Sequence, residues 1–177
     1  MSTLSRTVIG LSTILDRIAS VLAGAAIVVL VGAVMLQVIA RYVFSQPPAY
    51  TEELARYAMI WAGLIGASMS FKRRFDPALF NGITKGPVWL RAGAELVKSL
   101  VVLIYLLPIL WHVFFGPGMN PARGFLLRHS RTMADALPFS TVWVAIAVPL
   151  MIVLVLIHLV ARWFGDAGPA EPDRDAT

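Results

Sequence analysis

Cysteine is absent from all 177 residues, which excludes disulfides, thiolate metal sites and cysteine nucleophiles. Charge is scarce. Asp, Glu, Lys and Arg make up 14% of the chain, against about a quarter in a typical soluble domain. There is no glycine-rich phosphate loop, no His/Asp/Glu spacing suited to a metal and no nucleophile motif. These absences argue against an enzyme and against a bound cofactor. The shortage of charge implies that much of the surface faces something other than water. The net charge of +5 does not point to nucleic acid, because the cations fall between apolar runs.

What the chain has instead is apolar length, with 58% hydrophobic residues. Four stretches contain no Asp, Glu, Lys or Arg: residues 18–40, 57–71, 99–122 and 136–161. As a helix the first reaches about 34 Å, enough for a hydrocarbon core of about 30 Å. The second is short and must borrow from residues 51–56 and from Lys72. The third should stop near Phe115, because Gly116-Pro117-Gly118 follows. The expectation is an all-α integral membrane protein, a helical bundle of four transmembrane helices. The spans fall at about 18–40, 52–72, 95–115 and 138–161, within a membrane domain of residues 1–164. Residues 165–177 carry no apolar period and should form a disordered cytoplasmic tail. The first span is too long for a signal-peptide core and lacks a small-residue cleavage site, so it should be retained. Before it, Leu4, Val8, Leu11, Leu15 and Ile18 recur at helical spacing and suggest a short interfacial segment.

With four spans, one side of the membrane holds Arg6, Arg17, Lys72, Arg73, Arg74, Lys85, Arg91, Lys98, Arg162 and Arg174. The other holds only Arg41, Arg56, Arg123, Arg128 and Arg131. The positive-inside rule therefore predicts an N-in/C-in protein with both termini in the cytoplasm. Six of the ten inner cations lie in the middle loop, where they can also meet anionic membrane lipids. Pro87 suits the first turn of a helix. Arg91, Glu95 and Lys98 stack beyond it at helical spacing, so the third helix should start in the headgroup zone.

The span cores offer nothing that grips a cation or an anion. Transport sites usually place ionisable groups or broken helices near the midplane. Pro108 and Pro149 interrupt the third and fourth helices and free the carbonyls of Ile104 and Ala145, which is expected to give kinks. Helix packing is signalled by Ala62, Gly66 and Ser70, and by Gly63 and Ala67. These are two small-residue rows that allow close approach of a helix from this chain or from a partner. Trp61 should fill space between helices, while Trp89, Trp111, Trp143 and Trp163 lie near span ends as an aromatic belt.

Tyr50, Thr51, Glu52, Glu53 and Arg56 form the densest polar cluster. Thr51 can cap the second helix, with the carboxylates in its first turn. Arg56 can pair with Glu52 or Glu53. In the second case, reversing both charges should restore what either reversal loses. Docking of an external partner or pairing with Arg41 are further readings. Glu52 and Glu53 point about 100° apart, so they do not converge on one bond. His112 and His158 are expected about 25–30 Å apart along the membrane normal, too far to share a haem.

Residues 41–74, RYVFSQPPAYTEELARYAMIWAGLIGASMSFKRR, resemble the small membrane subunit of tripartite ATP-independent periplasmic (TRAP) transporters, the DctQ-like family. The matching residues are Arg41, Tyr42, Glu52, Glu53, Arg56, Trp61, Leu64, Gly66, Ala67, Arg73 and Arg74. Two positions depart from the family pattern. Tyr50 stands where Trp is common, and Phe75-Asp76-Pro77 stands where a His often follows. The resemblance implies a multi-pass subunit in a bacterial or archaeal cytoplasmic (inner) membrane. It implies two partners: a large TRAP membrane subunit that holds the substrate and sodium sites, and a periplasmic substrate-binding protein that commonly delivers an organic acid. The small subunit would scaffold the large one and help to dock the binding protein. Residue chemistry alone leaves open a membrane anchor of a redox complex, a self-sufficient small carrier, or a structural or assembly factor of another membrane complex.

Overall fold

The computed structural model describes residues 3–73 and 87–166, without the side chains of Val88 and Arg91. Among these residues the fold is all-helical. The helices are α1 (Thr3–Val43), α2 (Ala49–Arg73), α3 (Val88–Phe114), α4 (Phe125–Ser130), α5 (Val142–Ala145) and α6 (Ala147–Trp163). Three of them are long and apolar enough to cross a membrane: α1, Ala92–Phe114 within α3, and the joined α5 and α6 over Val142–Trp163. Small residues and flanking charges keep α2 below that standard. Arg74, Lys85, Phe75-Asp76-Pro77 and residues 167–177 lie outside the described residues.

Several helix bounds differ from the expected spans. α1 is one continuous helix from Thr3, about 60 Å long at 1.5 Å per residue, roughly twice the hydrocarbon core. The proposed interfacial segment is therefore the first turns of the same helix. Its apolar stripe faces outward: Leu4, Leu11 and Ile18 are exposed, while Ser5, Ser12 and Asp16 are buried. The fourth long helix starts at Val142 rather than Pro138, because residues 131–141 form a folded connection. Asp166, inside the expected tail, is held by Lys72 at 3.6 Å.

A short connection over residues 44–48 turns the chain back, so α1 and α2 run antiparallel. Their seam is narrow. On α1 the inward positions are Ser5, Ser12, Ala19, Ala26, Ala33 and Ala40, each seven residues after the last. Asp16, Ala23, Leu30 and Gln37 fill the intervening register. This is a heptad seam built from small side chains, which lets neighbouring backbones approach closely. Val21, Val28, Val31 and Met35 fall outside the seam and are exposed. The core joins Ala19, Ala23, Ile65 and Leu154, with Trp61 and Leu150 packed against it. A second core of Leu106, Ile152 and Val155 joins α3 to α6.

The two prolines expected to interrupt helices act differently: α3 runs unbroken through Pro108, and the last apolar helix divides near Pro149. Pro149 has no N–H to offer Ala145, and the helix divides at Ile146, between α5 and α6. α3 stops at Phe114, one residue before the expected point. The chain then doubles back so tightly that a Cβ on Gly116 would strike the Arg123 backbone, and one on Gly124 the Phe114 carbonyl. Gly118 supplies the left-handed turn between them, at φ 75°.

Candidate functional site

Polar side chains gather at the two ends of α2, near Glu53 and near Lys72. These residues are about 28 Å apart along the helix.

At the Glu53 end, the first turn of α2 carries Thr51, Glu52 and Glu53. Thr51 does not serve as the N-cap. It lies within the helix, fully buried, and its hydroxyl donates to the Pro48 carbonyl at 2.7 Å. Glu52 and Arg56 form the expected pair at 3.1 Å, with both side chains exposed. Glu53 does not pair with Arg56. Its carboxylate turns inward, is 6% exposed, and accepts the backbone N–H groups of Asp135 (3.0 Å) and Ala136 (2.7 Å). It also accepts the Tyr57 hydroxyl at 2.5 Å. An ionised carboxylate has lone pairs for all three donors.

One turn further on, the Tyr57 ring lies 6.2 Å from that of Phe139. After another turn, Trp61 Nε1 donates to the Trp143 carbonyl at 3.2 Å. Glu53, Tyr57 and Trp61 recur every fourth residue, so they share one face of α2. Together they clasp the connection between α4 and α5. Trp61 therefore fills space as expected and also serves as a donor. Tyr50 and Arg41 stay exposed, and no Arg41 ion pair occurs among the described residues.

The pairing pattern gives a direct expectation. Exchanging the exposed charges in the double variant Glu52→Arg, Arg56→Glu should shift stability by at most about 0.5 kcal/mol. Reversing Glu53 together with Arg56 should rescue nothing, because the two do not touch. Thermal unfolding of the four variants, followed by tryptophan fluorescence, checks both statements.

At the Lys72 end, α1, α2, α3 and α6 converge. Lys72 Nζ donates to Ser12 Oγ (2.9 Å) and Thr13 Oγ1 (3.2 Å) and faces the Asp166 carboxylate. Ser12 also bonds His158 Nδ1 at 2.9 Å. Arg73 pairs with Asp16 at 3.2 Å and reaches Ser20. Arg162 pairs with Glu95 at 3.0 Å and lies over the Phe71 ring. Trp163 donates to Ser99 at 3.0 Å. His158 is thus a buried network member rather than an interfacial residue. His112 is apart from it, exposed and bonded to the Pro108 carbonyl of its own helix at 2.9 Å. A pocket no larger than a water molecule lies among Phe71, Lys72, His158, Arg162 and Asp166.

The small-residue rows on α2 point elsewhere. Gly63 and Ala67 are exposed, and Ala62, Gly66 and Ser70 are half-buried. A Cβ added to Gly63 or Gly66 would meet nothing within 4 Å. The inward face of α2 uses Ala55, Ala58, Ile65 and Ser68 instead.

Both clusters bind helices to one another; the Ser12 hydroxyl lies beside His158 Nδ1, but it is fully buried and also holds the Lys72 ammonium. Sequence reading passed over the members on α1. Ser5, Ser12 and Asp16 look like a polar helix face exposed to water. Their signal was the seven-residue repeat that continues through Ala19 to Ala40.

The family model for the DctQ component of tripartite ATP-independent periplasmic transporters matches residues 30–168. Over 71 residues the chain is 30% identical to a Haemophilus influenzae protein that carries the name of a TRAP transporter small permease protein. That stretch covers 40% of this chain and 44% of the relative, so the chain spans less than half of the curated protein it matches. The family match takes in the α2 clasp, the small-residue rows and most of the Lys72 network. The chain belongs to the DctQ component family of TRAP transporters.

Proposed function

We propose that this chain is the small membrane subunit of a sodium-coupled, binding-protein-dependent importer of organic acids, and that it acts as a brace rather than a pathway. The observation that carries this reading is how the polar side chains are used. Glu53, Lys72, Asp16, Arg73, Glu95 and Arg162 all bond within the chain at the two ends of α2. The stretch between them, residues 57–71, holds no ionisable group except the Tyr57 phenol.

The chain crosses a bacterial or archaeal cytoplasmic membrane four times, with both termini inside. In support, α2 lies antiparallel to α1, and its charged ends are separated by about the thickness of a hydrocarbon core. The excess of Lys and Arg at the Lys72 end supports its cytoplasmic placement. The large subunit carries substrate and sodium. The exposed Gly63 and Ala67 row suits close approach of one of its helices. Arg41, Tyr50, Glu52 and Arg56 are left at the outer surface, where the soluble binding protein arrives.

Two measurements test this. The chain should co-purify with its large partner in mild detergent, and it should give no substrate or sodium flux when reconstituted alone. Flux through the isolated chain in liposomes would overturn the brace.

A further inference from the structure

Two distances at the Lys72 end are long for direct contact. Lys72 Nζ stands 3.6 Å from the Asp166 carboxylate, and Ser12 Oγ reaches the same group only at 3.4 Å. Direct bonds run at about 2.7–3.2 Å for N–H donors and about 2.5–3.0 Å for hydroxyls. A polar contact near or beyond about 3.5 Å points to an intervening water. Beside this gap lies His158, only 3% exposed. Its Nδ1 is satisfied by Ser12, but its Nε2 has no hydrogen-bond partner among the described residues. A buried polar atom left in that condition costs stability.

The hydrogen positions follow from what each group can donate. An ammonium only donates, so Ser12 Oγ accepts from Lys72 at 2.9 Å. Ser12 keeps one hydroxyl hydrogen to give. Two acceptors compete for it: His158 Nδ1 at 2.9 Å and the Asp166 carboxylate at 3.4 Å. The nearer one wins, because a hydroxyl bond weakens well before 3.4 Å. Nδ1 is then an acceptor, and a neutral imidazole carries its hydrogen on Nε2. His158 therefore brings a buried N–H donor to the pocket that it lines with Phe71, Lys72, Arg162 and Asp166.

We propose that this pocket binds one ordered water, which accepts from His158 Nε2–H and donates to the Asp166 carboxylate. The pocket volume of about 10 Å³ gives room for the centre of a single water molecule. Internal waters make about three hydrogen bonds. Lys72 supplies the third, because two of its three N–H groups serve Ser12 and Thr13 and one remains. A halide ion is the competing occupant, and charge balance opposes it. The two cations that line the pocket, Lys72 and Arg162, already face the carboxylates of Asp166 and Glu95. Through the water, α2 and α6 together hold Asp166. The chain leaving α6 is fastened by a hydrated bridge rather than by Lys72 alone.

Nuclear magnetic resonance on the intact chain in lipid nanodiscs, with isotope-labelled histidine, tests this. His158 is assigned by elimination with His112→Gln and His129→Gln, whose side chains bond elsewhere. Its ring should be in the Nε2–H form. That N–H should show a direct cross-relaxation peak to a water bound far longer than surface hydration water. Asp166→Leu should weaken the peak severalfold, because the water loses its acceptor. Asp166→Asn keeps an amide oxygen and should retain it. Exchanging chloride for bromide should leave the His158 signals in place. An Nδ1–H form overturns the proposal, as does an Nε2–H with no water peak. A peak indifferent to Asp166→Leu overturns the bridge, and a saturable shift with bromide assigns the pocket to an anion instead.

Discussion

Replacing Glu53 with leucine should release residues 131–141 from α2 and let trypsin cleave faster at Arg128 and Arg131, whose side chains are already exposed. The carboxylate accepts two backbone N–H groups and a phenol. Leucine fits the space but leaves all three donors without an acceptor. Buried donors stranded in this way cost far more than the bonds gain when made. The connection should then open locally without unfolding the bundle, and cleavage should accelerate by roughly tenfold or more. Glu53→Gln keeps one acceptor oxygen and should fall between. Timed proteolysis of the detergent-solubilised protein, with fragments identified by mass, decides the matter. Equal protection of Glu53→Leu and the wild type would show that packing of Phe139 and Trp143 holds the connection unaided.

Lys72→Met should be the most damaging substitution at the opposite end, costing about 3–5 kcal/mol. Methionine matches the length of the lysine stem, so packing is conserved and the charge is what is lost. The side chain is 5% exposed, and its ammonium serves Ser12, Thr13 and the Asp166 carboxylate together. Without it, Asp166 becomes a poorly compensated anion, and the Ser12 and His158 pair loses its donor. Adding Asp166→Asn should recover part of the loss, because the stranded charge is then gone. Unfolding of the complex, followed through its tryptophans, should rank Lys72→Met well below Arg56→Ala, whose ion pair is exposed. Equal midpoints for the two variants would contradict the network.

The sequence disclosed much of the architecture through hydropathy, because lipid demands long uncharged helices with every backbone group bonded internally. It disclosed helix stops too: Gly116 and Pro117 end α3, and Pro149 marks the division of α5 from α6. The Glu52 and Arg56 pair was legible because helical spacing alone brings those side chains together. For Glu53 the same spacing offered Arg56 as one of several partners, and the two do not meet. Its partners are backbone groups of Asp135 and Ala136, more than eighty positions away. No local spacing rule reaches a backbone donor at that separation.

The buried side of α1 was hidden in a different way. In an amphipathic helix of a soluble protein, the apolar stripe turns inward. Here Leu4, Leu11 and Ile18 are exposed, while Ser12 and Asp16 are buried against Lys72, Arg73 and His158. Hydropathy contrast therefore pointed to the wrong face, and the seven-residue spacing of small side chains was the usable signal. The Gly63 and Ala67 row was visible as a surface for close approach, but spacing could not say whose helix it meets.

Composition and the run of uncharged residues determined that this is a helical membrane protein, and the motif around Glu52, Glu53 and Trp61 pointed to its family. Both are properties of short windows, set by the solvent each segment must enter and by side chains a turn or two apart. Only the tertiary structure decided that Glu53 clasps a distant connection and that Lys72 joins α1, α2 and the chain beyond α6. Those outcomes depend on which long-range partners remain once the helices have packed, and packing between helices leaves little trace in the order of residues along any one of them.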